Sequence, residues 1–329
     1  MVASEDEYIP HTEKFTNRQR ARPRGRGKNG TQHVQMLGRD KVELDRFPID
    51  RVLPNRIWLI LGRRGTGKSI LLLDLLSHMH RSFDYGVAFT PTEESAQMFA
   101  TIMPAASIYG NFDPMVVERI MAHQRAESKA GHQLRSIFVI LDDCLYDRAV
   151  LRHRAVRDLF LNGRHQRVTC LMCAQYLMDI SPDLRTQIDY SLCLKDNIMQ
   201  NRMKLYKSLF GMFPTYDAFA EVMTATTENH GAIVLDQTAP GNSVRDNVFW
   251  YRAIHPPPHC FLGRRTFYRL SAQHQMTPDQ QAVAARRGAQ SGPHGGLVTL
   301  LGRESPKRPD EDSPREERRD RSRHRSRHH

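Results

Sequence analysis

The sequence lacks any apolar run near the roughly eighteen residues that a membrane-spanning helix needs, which argues against a span. Its opening, Met1-Val2-Ala3-Ser4-Glu5-Asp6-Glu7, has neither the basic start nor the apolar stretch of a secretory signal, so export is not expected. Cysteine is scarce, with five in 329 residues. Only Cys170 and Cys173 form a C-x-x-C pair, and they sit inside an apolar stretch with no second pair at ligand spacing. That excludes a disulfide framework and disfavours zinc; buried, reduced thiols in a reducing compartment are expected. Internal repeats are absent. Acidic residues are missing from 14–28, which carries Lys14, Arg18, Arg20, Arg22, Arg24, Arg26 and Lys28.

What the chain has in excess is positive charge, a formal +12, with a second cluster running from Arg318 to His329. Such polycations gather phosphate without reading sequence, so a polyanionic partner is expected, nucleic acid before membrane. A nuclear address is an equally available use of the same composition. The division expected is a disordered basic tail over 1–45, one α/β domain over 46–272, and a disordered Arg-rich tail over 273–329.

Chemistry enters at Gly62-Arg63-Arg64-Gly65-Thr66-Gly67-Lys68-Ser69, which fits GxxxxGK[ST] between the apolar runs 57–61 and 70–73. Strand, glycine-rich turn and helix are the context a phosphate-binding loop requires. Glycines let backbone N–H groups approach phosphate oxygens, and the helix start adds a positive dipole end. Lys68 is expected to reach the β- and γ-phosphates of ATP, and Ser69 to ligate Mg²⁺.

A second apolar strand, 136–141, ends in Asp142 and Asp143. Asp142 is expected to complete the magnesium shell, and Asp143 to orient or deprotonate an attacking water. The alternative for Asp143 is a cap on the turn Cys144-Leu145-Tyr146-Asp147. The apolar run 168–174 ends in Gln175, where a RecA-like order of strands would make this amide a sensor of the γ-phosphate. Arg164 and Arg185, both close in sequence to this region, are candidates for an arginine finger acting on a neighbouring subunit. Each could instead anchor a local carboxylate such as Asp183 or Asp189. Strands alternating with helices, including helices expected over 68–80, 114–127 and 150–161, predict a mainly parallel sheet flanked by helices.

Taken together, LGRRGTGKS, VILDDCLYD, LFLNGRHQRVTCLMCAQY, ISPDLRTQIDY, NRMKLYKSLFGMFPTYDAF and NVFWYRA resemble the genome-packaging ATPases of nucleocytoplasmic large DNA viruses. Those are similar in turn to the FtsK–HerA class of P-loop motors. The resemblance spans about residues 47–255 and departs from the family at Gln166, where a tyrosine is usual. It implies a RecA-like fold, Lys68 and Ser69 on nucleotide and metal, Asp142 on magnesium, Asp143 in catalysis and Gln175 as sensor. It also implies a homo-oligomeric ring, pentamer or hexamer, around double-stranded DNA, with capsid or portal components as partners. The corresponding setting is an infected cell, in a cytoplasmic viral factory or the nucleus, or the virion. Two other readings remain at this point: a P-loop kinase, and a nucleotide-gated DNA-binding nucleoprotein without motor activity.

Overall fold

In the computed structural model, residues 32–35, 41–144 and 149–274 are described. Most of the two basic tails and the Leu145-Tyr146-Asp147 turn lie outside the described residues. Eight strands form one sheet. In chain order they are β3 (Ile57–Leu61), β4 (Tyr85–Phe89), β5 (Ile108–Tyr109), β6 (Ile137–Asp142), β7 (Val168–Ala174), β8 (Tyr190–Cys193), β9 (Gly231–Asp236) and β10 (Val248–Arg252). Two short strands upstream, β1 (Gln32–Gln35) and β2 (Lys41–Leu44), pair with each other in a separate antiparallel ladder. They fall inside the stretch that composition assigns to the first tail.

Across the large sheet the order is β10-β9-β8-β3-β7-β6-β4-β5. From β8 to β5 every pairing is parallel; at one end β9 runs antiparallel to both β8 and β10. Strands β3, β4, β6 and β7 are buried along their whole length. That burial explains why they read as unbroken apolar runs and not as alternating ones: helices cover both faces. This is the mainly parallel, helix-flanked α/β fold expected from the sequence, and β7 lies between β3 and β6.

The helix α1 (Lys68–Met79) buries Leu71, Leu72, Leu75 and Leu76 against the sheet. It also buries Asp74, whose Oδ2 accepts a 2.6 Å hydrogen bond from the Tyr251 hydroxyl on β10. Phe47 packs edge-on among Trp58, Tyr190, Phe249 and Tyr251, tying the lead-in segment to three strands. Helices α2 (Glu93–Ala100) and α3 (Pro114–Lys129) follow β4 and β5. From the fully buried Gln124 of α3, Nε2 donates to the carbonyls of Arg135 and Gln166 at 2.7 and 2.6 Å.

The single helix expected over 150–161 is two, α4 (Ala149–Arg152) and α5 (Arg154–Asn162). His153 is extended between them, and its Nδ1 accepts from the Ala155 N–H as the cap of α5. Helix α6 (Pro182–Arg185) precedes β8, and α7 (Met199–Ser208) and α8 (Tyr216–Thr226) follow it. A one-turn α9 (Val244–Asn247) precedes β10. The last helix, α10 (Arg265–His274), buries Phe267 against Tyr85. All five cysteines are free and buried, as expected from their apolar settings.

Candidate nucleotide site

Parallel strands place their carboxyl ends along one edge, and the loop 62–67 leaves that edge from β3. Gly65 and Gly67 have φ of 76° and 100°, the left-handed region in which a side chain is strained. At Gly62 a Cβ would come within 2.5 Å of Thr66 Oγ1. The loop is braced on both sides, since the Gly62 N–H donates to Ala174 O on β7 and the Leu194 N–H donates to Leu61 O.

Lys68 is buried although it carries a charge. Its Nζ donates to Gly62 O at 2.9 Å and lies 3.4 Å from Arg63 O, so loop carbonyls hold the ammonium beneath the loop. Asp143 Oδ1 stands 3.9 Å from the same Nζ. Arg63, Arg64, Gly65 and Ser69 face solvent.

Asp142 and Asp143 reach one locality although neighbours on a strand point to opposite faces. The reason is backbone: Asp143 has φ 49° and has left the strand conformation, so its carboxylate swings towards Lys68. Asp142, the last residue of β6, is buried, and Thr90 Oγ1 lies 3.4 Å from its Oδ2. Burial pushes the Asp142 carboxyl above its ordinary range; a hydrogen bond from Ser95 opposes that shift, and the nearby Asp143 charge adds to it. A cation beside Asp142 would relieve that cost. Among the described residues no group of three or more His, Cys, Asp or Glu could hold a metal alone. Near the loop the chain offers two oxygen donors, the buried Asp142 carboxylate and the solvent-facing Ser69 hydroxyl at the start of α1.

Gln175 follows β7 and lies beside Gly62 in a cavity of about 170 Å³ that Asp196, Asn201 and Lys204 also line. The two candidate arginines are elsewhere. The turn holding Arg164 leads directly into β7, with Val168 N–H donating to Gly163 O. Arg185 precedes β8, where Asp189 N–H bonds Ile57 O at the start of β3. Both arginines therefore sit towards the amino ends of the parallel strands, opposite the loop, and not at the catalytic edge that sequence proximity suggested. Arg185 Nη1 donates to Ser208 Oγ at 3.0 Å, and Asp183 pairs with Arg157 and Asp189 with Arg56.

Three residues near the site carry no motif: Thr90 and Ser95 beside Asp142, and His230. His230 Nδ1 lies 3.3 Å from Thr66 O. Thr90 gave the same signal as Gln175, a polar residue where an apolar strand stops.

A glycine-rich loop between β3 and α1, paired carboxylates at the end of β6 and an intervening β7 define a RecA-like P-loop NTPase fold. Within that class, the poxvirus A32 protein family matches residues 46–236, and the chain belongs to it. The motifs that resemble viral genome-packaging ATPases lie mostly in that span. Protein L437 of Acanthamoeba polyphaga mimivirus is 30% identical over 223 residues, covering 65% of this chain and 78% of that protein. Protein 015R of Frog virus 3 is 28% identical over 225 residues, 68% of this chain and 70% of that one. Among solved structures, the genome packaging NTPase B204 of Sulfolobus turreted icosahedral virus 2 aligns over 62% of this chain and all of its own. Its TM-score is 0.43 and its identity 16%. No helix among the described residues is long and apolar enough to cross a membrane.

Proposed function

We propose that the chain is an ATP-hydrolysing motor that moves double-stranded viral DNA into a capsid. The observation that carries the reading is the position of Lys68, buried under the phosphate loop and 3.9 Å from Asp143. One side chain joins the group that binds phosphate to the carboxylate suited to act on water. Loop N–H groups and Lys68 would hold the triphosphate, in place of the carbonyl contacts that Lys68 makes here. Asp142 and Ser69 would hold Mg²⁺, which supplies charge neutralisation between the phosphates. Asp143 would accept a proton from water or orient it, and Gln175 would report the γ-phosphate to the chain that follows β7.

Because Arg164 and Arg185 lie opposite the loop, an arginine finger drawn from them acts across a subunit boundary, as a ring of identical subunits allows. Family membership and the charge of +12 support DNA as the substrate of movement. The test is ATP hydrolysis with and without double-stranded DNA. A motor shows stimulation of several-fold or more. DNA binding with no hydrolysis at all would identify a nucleotide-gated nucleoprotein, and phosphate transfer to a small acceptor would identify a kinase. Either result overturns the proposal.

A further inference from the structure

The turn between α8 and β9 is built under unusual constraint. Asn229 and His230 are consecutive non-glycine residues in the left-handed region, at φ 51° and 59°. Asparagine and histidine are among the side chains that tolerate it best, yet two in succession is rare. The next residue has no latitude either: a Cβ on Gly231 would lie 2.2 Å from Thr226 O. Strain of this kind persists where the surroundings fix it, and it clusters at ligand sites. Here its result is specific. The exposed His230 ring is carried onto the phosphate loop, with Nδ1 3.3 Å from Thr66 O and 3.5 Å from where a Cβ on Gly67 would stand.

Strand order then fixes what that ring faces. The loop leaves β3 in the middle of the sheet. Two strands to one side is β6 with Asp142 and Asp143; two strands to the other is β9, which His230 introduces. A triphosphate whose γ end lies towards the carboxylates extends its nucleoside end towards β9. We propose that His230 forms the nucleoside-side wall of the site, its imidazole packing against the base or ribose. The inference rests on the nucleotide reading above and assigns the site its second boundary.

Binding of Mg-ATP and of inorganic tripolyphosphate to the full chain separates the parts. Tripolyphosphate has the charge and no nucleoside. His230→Asn keeps a side chain that accepts left-handed backbone while removing the ring. It is expected to weaken ATP roughly tenfold, the scale of one lost stacking contact, and to leave tripolyphosphate unchanged. Lys68→Ala is expected to weaken both. If His230→Asn weakens the two ligands equally, the ring only supports the loop and the inference is overturned; unchanged ATP affinity overturns it too. Wild-type protein that binds neither ligand would instead remove the nucleotide reading on which it stands.

Discussion

Tyr251 donates a 2.6 Å hydrogen bond to Asp74, joining the end strand of the sheet to the middle of the helix that follows the phosphate loop. The residues are 177 positions apart, and both are buried. Burial pushes the Tyr251 phenol above its ordinary range, and the carboxylate it faces adds to that shift, so the hydroxyl stays protonated and donating.

Tyr251→Phe removes the donor and keeps the ring that packs on Phe47. It leaves a buried carboxylate short of a partner, so the expected loss is about 1–3 kcal/mol of folding stability. Urea denaturation measures it, and a loss under a few tenths would mean that Asp74 finds other partners.

Lys68 and Asp143 are 3.9 Å apart, and the proposed mechanism gives them different duties, so their variants should differ in kind. Asp143→Asn is expected to keep ATP affinity while turnover falls by about two to four decades, the scale of a removed general base. Lys68→Ala is expected to lose affinity itself. Binding and single-turnover hydrolysis, measured side by side, distinguish them; normal hydrolysis by Asp143→Asn would return that residue to a turn cap.

The thiols predict a pH limit. Burial holds Cys144, Cys170 and Cys193 up to about 12, against an ordinary thiol value of 9.0. Below 9.0 both folded and unfolded thiols are protonated and the contribution is fully present. As pH rises from about 9 towards 12 the unfolded chain releases thiol protons that the native chain retains, so stability falls. The denaturation midpoint should drop across that window, and serine at Cys170 and Cys193 should flatten the drop. A thiol reagent at about pH 8 should find no reactive cysteine until the protein unfolds.

Much of the site was legible because its parts are contiguous. A phosphate loop carries its own strand and helix, and a fully covered strand announces itself as an apolar run that ends in carboxylates. Thr90 carries the same signal as Gln175, a polar residue closing an apolar strand, whereas Ser95 and His230 were not legible, because each arrives from a separate segment and strand order alone brings them in. The arginines show a different failure. Closeness in sequence to β7 and β8 does not mean closeness to the phosphate loop, because a residue just before a parallel strand sits at the opposite edge. The break at His153 was hidden because α4 and α5 carry apolar residues on either side of it.

Gln124 gives the far edge a mechanical character. Its amide grips the carbonyls of Arg135 and Gln166, just ahead of β6 and β7, and the Ile137 N–H is bonded to Arg167 O. The turn bearing Arg164 is thereby clamped to the roots of two strands, one ending at Asp142 and the other leading into Gln175. Strands of six and seven residues span about 20 Å, and lateral pairing on both sides keeps them from buckling. A push on that turn would therefore load them as struts, along the line that leads to Asp142 and Gln175.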